Sequence, residues 1–272
     1  MIDKTVFVLI TDIAYFYKAQ VTIRDLRSIG NWNEDIVLIT IDFELDDDYK
    51  EEYRIIEKKF PMIDKTNLLN KIGPNGFSNS DKREINKLNQ WEKLHVFDTY
   101  FSKWDKVVFL DAGLRVLDDV KYLLELDCRG CILAPNDAAP NFRQDQIFKH
   151  QLSEDNPEII ERIKTELGEH IFHCYHMLNC MWVYDTNILN TVSKQEMIDA
   201  MNEYTVCKTN EMGIMNLILH FRHHLWQELP LTASNGKYLF EWCETNHSFH
   251  TTWRDYCFIK YPVTIRLDQM PN

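Results

Sequence analysis

The sequence predicts an α/β protein built on one mostly parallel, doubly wound sheet flanked by helices. Short apolar runs rich in β-branched residues stand at Val6–Ile10, Ile36–Ile41 and Val107–Leu110, as in strands buried on both faces. Segments with apolar residues three and four apart separate them, as helices packed on such a sheet require. Hydrophobic residues make up 45% of the 272 positions and aromatics 12%, enough for one large core.

Taken in order, Val6–Ile10 is the first buried strand. Phe16, Ala19, Ile23 and Leu26 mark a helix that Gly30 can terminate. Ile36–Ile41 returns as a second strand, completing a right-handed βαβ unit. Residues 43–80 are acidic, then irregular, with Gly73, Pro74 and Gly76 in a loop. Asp81 and Glu84 suit the start of a helix whose stripe reads Ile85, Leu88, Trp91, Leu94, Phe97 and Phe101. Val107–Leu110 is the third strand and ends in Asp111. A short helix around Val120–Leu126, a strand at Cys131–Ala134 and a polar loop with Asp137 follow. Residues 141–170 are charged and read as a lid or insert. Met181–Tyr184 is another strand, and helices are expected near Ile188–Tyr204 and Glu211–Phe221. No linker divides the chain, so residues 1–272 are expected to form one domain.

Thirty Lys and Arg against forty-two Asp and Glu give a formal charge of −12. That balance disfavours a nucleic-acid groove but leaves room for a nucleotide held by a few local cations. Thr5–Ile10 is too short for a signal sequence or a membrane span. Seven scattered cysteines suggest reduced thiols and a cytoplasmic setting. The sequence leaves a homodimer open.

In open α/β sheets ligands lie beyond the carboxyl ends of the strands. Two such ends carry chemistry here: Thr11-Asp12 after the first strand and Asp111-Ala112-Gly113 after the third. The stretch KWDKVVFLDAGLRVLDDV, residues 103–120, resembles the signature of glycosyltransferase family 8, which includes glycogenin and galactinol synthase. LITDIAYFYKA (9–19) resembles that family's first strand and base-holding loop. Lys93-Leu94-His95 resembles its Lys-Leu helix, and Leu178-Asn179-Cys180-Met181 falls at its Asn-Ser-Gly-Val strand. Asn210-Glu211-Met212-Gly213-Ile214 with Asn216 falls at its Asp-Gln-Gly-Ile-Leu-Asn segment. No single motif is specific; five in order across residues 5–220 make the case.

The resemblance implies a single GT-A domain with a Rossmann-like sheet, residues 1–113 holding the nucleotide and 114–272 the acceptor. It implies sugar transfer with retention from a UDP-hexose to a hydroxyl of a carbohydrate or protein-linked glycan. Asp111, Glu211 and Asn179 would serve the chemistry. Thr11, Asp12, Tyr15, Lys93, Ala112, Gly113, Arg115 and Lys260 would hold the donor. Asp111 and His250 would bind Mn²⁺ or Mg²⁺ to stabilise the departing diphosphate.

The sequence departs from the family pattern in two places. Gly113 replaces the second Asp of Asp-x-Asp and offers no oxygen, so Arg115, Lys93 and Lys260 are candidates for part of the cation's role. Restoring a carboxylate by Gly113→Asp is expected to be tolerated. Glu211 stands where the family has Asp and can still orient a sugar hydroxyl.

Plainer readings compete for each residue. Asp111 could cap a loop, Tyr15 could be core, and Lys93, off the Leu88–Trp91–Leu94 face, could be solvated. Cys128-Arg129-Gly130-Cys131 has no second C-x-x-C, so structural thiols are expected. His170, His173 and His176 beside Cys174 fit no zinc spacing. Thr11–Tyr17 contains no glycine, which speaks against a nucleotidyltransferase. The missing second Asp keeps open a degenerate sugar-nucleotide-binding protein.

Overall fold

The first strand sets the plan. β1 (Thr5–Thr11) is buried at every residue, and its alternating side chains serve two cores. Val6, Val8 and Ile10 face one, while Phe7 and Leu9 face the other, as a strand covered on both faces must. β4 (Lys106–Leu110) divides the same way, with Val107 and Phe109 opposite Val108 and Leu110. The computed structural model describes residues 4–72, 87–139, 146–153, 156–205, 211–242 and 255–260.

The main sheet has the order β3-β2-β1-β4-β7-β6-β8. β2 (Ile36–Thr40) and β3 (Ile55–Lys58) continue it in parallel from β1. β4 is parallel to β1 on the other side. β7 (Met181–Asp185) is antiparallel to β4 and to β6 (Ile132–Ala134), and β8 (Trp226–Glu228) is parallel to β6. A second sheet sets β10 (Tyr256–Lys260) between β5 (Leu114–Val116) and β9 (Tyr238–Trp242).

The helices lie between these strands in sequence: α1 (Phe16–Ser28), α2 (Asp47–Tyr53), α3 (Thr66–Ile72), α4 (Lys121–Leu124), α5 (Pro157–Leu167), α6 (Lys194–Glu203) and α7 (Glu211–Met215). A π-helical segment, Asn216–Arg222, extends α7. The expected strands are present within a few residues of their sequence bounds, while the helix expected near Ile188–Tyr204 begins at Lys194, after a 3₁₀ turn over Thr186–Asn190. Gly73, Pro74, Gly76, Asp81, Glu84 and Ile85 lie outside the described residues.

Two local expectations are corrected. Gly30 does not turn the chain left-handed after α1; Asn31 does, at φ 56°. A Cβ on Gly30 would stand 2.8 Å from the Leu26 carbonyl oxygen and 2.9 Å from Val120, so this glycine permits a close approach. The expected single α-helix through Phe101 is instead 3₁₀ over Lys87–Phe97 and again over Thr99–Lys103. Leu88, Trp91, Leu94 and Phe97 are three apart, the period of a 3₁₀-helix. Asp98 breaks the run in extended backbone and caps the second piece through Tyr100 N at 2.8 Å.

Candidate active site

Because β1 and β4 are parallel neighbours, Asp12 and Asp111 leave the sheet at the same edge. β7 runs the other way, so its beginning reaches that edge. The Asp111 amide donates to the Cys180 carbonyl at 2.8 Å, which places Asn179 beside it. Asn179 in turn donates from Nδ2 to Glu211 Oε1 at 2.8 Å. A parallel strand end, an antiparallel strand start and the first residue of α7 thus converge.

Lys93 stands among them. Its ammonium lies 2.9 Å from Asp111 Oδ1 and 3.0 Å from Glu211 Oε1, and donates to the Asn179 carbonyl at 3.4 Å. The resemblance puts Lys93 in the donor site, against the plainer reading of a solvated lysine off the apolar stripe. The 3₁₀ segment is buried all round from Trp91 to Phe97, so the side opposite the stripe faces this crevice instead. β10 supplies Lys260, in register with Leu114. Its Nζ donates to the Ala112 carbonyl at 2.8 Å and lies 3.4 Å from Asp111 Oδ2.

Burial opposes charge on Lys93, Asp111 and Glu211, but their partners decide differently. For Lys93 the two carboxylates outweigh burial and hold its pKa above the ordinary lysine value. For Asp111 the two lysines outweigh burial and hold the carboxyl below its usual range. For Glu211 burial prevails over Lys93 and pushes the carboxyl up. Glu211 Oε2 is buried with no hydrogen-bond partner among the described residues.

The Asp-x-Gly turn explains the missing carboxylate. Gly113 sits at φ +85°, and a Cβ there would stand 3.3 Å from Lys18 Cδ. Its N–H donates to Thr22 Oγ1 at 3.1 Å, and Leu114 N closes the turn on Asp111 O at 3.1 Å. Glycine is needed for the backbone, and the expected tolerance of Gly113→Asp is not supported by this geometry.

The same residues test the divalent metal. Both Asp111 oxygens face ammonium groups, and position 113 cannot take a second carboxylate without strain. His250 lies outside the described residues, and among those described no three His, Cys, Asp or Glu are placed to hold a metal. This donor set does not fit a resident Mn²⁺ or Mg²⁺, which seeks about six oxygens.

At β1 the expected donor residues serve local structure as well. Thr11 Oγ1 donates to the Asp12 carbonyl at 2.9 Å. Asp12 Oδ1 accepts from Tyr15 N at 3.0 Å and Oδ2 from Asn89 Nδ2 at 2.8 Å. The Tyr15 ring is half-buried, with Lys18 Nζ 5.3 Å from its centroid.

Arg115 does not join the cluster. The period of two along β5 puts Leu114 and Val116 in one row set with Lys260 and Phe258, and Arg115 on the opposite face. Its guanidinium there pairs with buried Asp25 of α1. Cys128 and Cys131 are free and buried, and burial raises the Cys128 thiol to about 11, which suits structural thiols.

Sequence reasoning passed over one residue that assembles the site. Asn216 accepts from Met177 N at 2.9 Å and donates to Met177 O at 3.0 Å and Met212 O at 2.9 Å. It ties α7 to the chain entering β7, and so Glu211 to Asn179. Its place at the end of the Glu211–Asn216 motif was the available signal.

No family model and no curated protein sequence matches this chain. Solved structures match it in fold. The galactosyltransferase LgtC, in complex with donor and acceptor sugar analogs, aligns with 94% of this chain and 86% of its own, at TM-score 0.58 and 15% identity. The fold is that of the GT-A glycosyltransferases. Mouse xyloside xylosyltransferase 1 shares it over 94% of this chain and 96% of its own, at TM-score 0.51 and 10% identity. The bifunctional glycosyltransferase WbbM shares it over 95% of this chain, at TM-score 0.58 and 13% identity. This chain spans only 46% of WbbM. Among the described residues of this GT-A fold, no helix is long and apolar enough to cross a membrane.

Proposed function

We propose that this chain is a glycosyltransferase that moves a hexose from a nucleoside-diphosphate donor to an acceptor hydroxyl on a carbohydrate or protein-linked glycan. One observation carries the reading: Lys93 is held between Asp111 and Glu211 at the carboxyl edge of the sheet, where α/β folds bind ligands. The ordered family 8 motifs extend it to UDP as the nucleotide and to retention of anomeric configuration.

The roles follow from the chemistry of the groups. Thr11 and Tyr15 hold the base, and the Ala112-Gly113 turn approaches the diphosphate. As the anomeric C–O bond breaks, its electron pair leaves on the diphosphate, whose growing charge lies in the field of the lysines grouped at Asp111. Glu211 and Asn179 position the sugar hydroxyls. The acceptor oxygen bonds the anomeric carbon, and its proton passes to the departing phosphate oxygen. Residues 1–113 form the nucleotide half and 114–272 the acceptor half, with Lys260 reaching back to Ala112. Free thiols at Cys128, Cys131, Cys174, Cys180 and Cys257 support a cytoplasmic setting.

The glycine at 113 favours a second reading, a sugar-nucleotide-binding protein without transfer. Incubation with UDP- and GDP-sugars and a panel of glycan acceptors, scored for free nucleotide, separates the two. Acceptor-dependent release supports transfer. Tight UDP binding with no release from any pair supports the binding protein, and no binding at all removes both.

A further inference from the structure

Resting on the donor reading above, we infer that the cation facing the donor diphosphate is Lys260, backed through Asp111 by Lys93, and that no divalent metal is required. Asp111 is then the holder of two ammonium groups rather than a metal ligand.

Three observations carry this. Each Asp111 oxygen is matched to a different lysine, Oδ1 to Lys93 at 2.9 Å and Oδ2 to Lys260 at 3.4 Å. A dication bound there would have to displace or confront both. Among the described residues Lys93 is shared by two carboxylates, whereas Lys260 meets only Asp111 and at the longer distance of 3.4 Å, so Lys260 is the less compensated cation and has the sign a leaving diphosphate needs. Finally, the turn that would carry a second metal carboxylate is fixed as glycine by its φ of +85° and by Lys18.

The two lysines divide the work. An ammonium has three N–H bonds. Lys93 faces three acceptors, on Asp111, Glu211 and Asn179, and is fully engaged. Among the described residues Lys260 faces two, Ala112 O and the longer contact to Asp111. Its third N–H is the one available to a phosphate oxygen beside the Ala112-Gly113 turn. Lys93 takes the shorter contact to Asp111, so that Lys260 does not hold that carboxylate alone. Lys93 is therefore a positioning residue and Lys260 the direct contact.

Calorimetric titration of UDP and of pyrophosphate, each in EDTA and in Mn²⁺, tests the inference. The expected result is a Kd that differs by less than about threefold between the two buffers. Lys260→Met should weaken both ligands roughly ten- to hundredfold, the scale of a lost charged hydrogen bond, and Lys260→Arg should recover part of it. Circular dichroism shows whether the variants fold; if Lys260→Met does not, the wild-type comparison still decides. UDP binding that tightens about tenfold or more in Mn²⁺ overturns the inference and leaves the donor reading standing. So does Mn²⁺ binding to the free protein that disappears in Asp111→Asn, or an unchanged Kd in folded Lys260→Met. No binding of UDP or pyrophosphate in either buffer removes the donor reading, and the inference falls with it.

Discussion

The side chain of Asn216 pairs with both backbone groups of Met177, accepting from its N–H at 2.9 Å and donating to its carbonyl at 3.0 Å. Asn216 is fully buried, so this amide imitates one rung of a ladder between α7 and the chain entering β7. Two residues beyond Met177 lies Asn179, and five before Asn216 lies Glu211. The pair therefore sets the spacing of two site residues that touch each other. Asn216→Ala leaves several buried backbone groups unsatisfied, each worth about 1–3 kcal/mol. The expected loss of stability is about 2–4 kcal/mol in urea denaturation. Asn216→Asp keeps the acceptor but loses both donors and should also destabilise. A change below about 0.5 kcal/mol in both would show that the loop is held elsewhere.

Gly113 makes a prediction opposite to the one its motif suggests. An L-residue in the left-handed region costs about 1–2 kcal/mol, and a Cβ here also presses on Lys18. Gly113→Ala and Gly113→Asp should each lower stability by at least that amount. Gly113→Asp should also fail to create Mn²⁺ binding in calorimetry. A stable Gly113→Asp protein that binds Mn²⁺ would return Asp111 to the role of metal ligand.

Tyr15 tests the nucleotide side of the proposal. Its backbone N–H is already spent on Asp12, so replacement of the ring leaves that turn intact. Tyr15→Ala should weaken UDP binding by about 1–3 kcal/mol, the scale of a base–aromatic stack. Pyrophosphate affinity should stay unchanged, because the proposed diphosphate contact is Lys260. Equal affinity of both proteins for UDP would take Tyr15 out of the site.

The fold was legible wherever burial is symmetric. β1, β2 and β4 are covered on both faces, so each reads as an unbroken apolar run, and their aspartates mark one edge. The direction of β7 was not legible, because an isolated apolar strand carries no sign of parallel or antiparallel pairing. That direction delivers Asn179 to Asp111. The burial of Lys93 and the direction of Arg115 were not legible either, for related reasons. A helical stripe tells which side faces the core, but not that a second structure covers the other side. Arg115 follows a loaded turn in sequence, yet one residue of strand sends its side chain to the opposite face. Gly113 looked like a lost oxygen until its backbone angle showed a turn that strains any side chain.

The opposed shifts of Asp111 and Glu211 predict how stability depends on pH. Glu211 has a folded pKa above the 4.5 of the free side chain, chiefly through burial. A group raised in this way contributes stability below the unfolded pKa and loses it as pH rises through the folded pKa. Asp111 is the reverse: lowered from 3.8 by its two lysines against burial, it contributes stability above that value and loses it as pH falls. Glu211→Gln keeps an oxygen for Asn179 and Lys93 but cannot ionise. Relative to wild type, this variant should therefore gain stability as pH rises from about 4.5 toward neutrality. Asp111→Asn should lose ground against wild type over the range just above the folded Asp111 pKa, because it lacks the stabilising ionisation. Urea denaturation of the three proteins across this range measures both slopes. A Glu211→Gln difference that stays constant with pH would mean that Glu211 ionises as freely in the folded protein as in the unfolded chain. The crevice would then be more open to water than the burial of Glu211 requires.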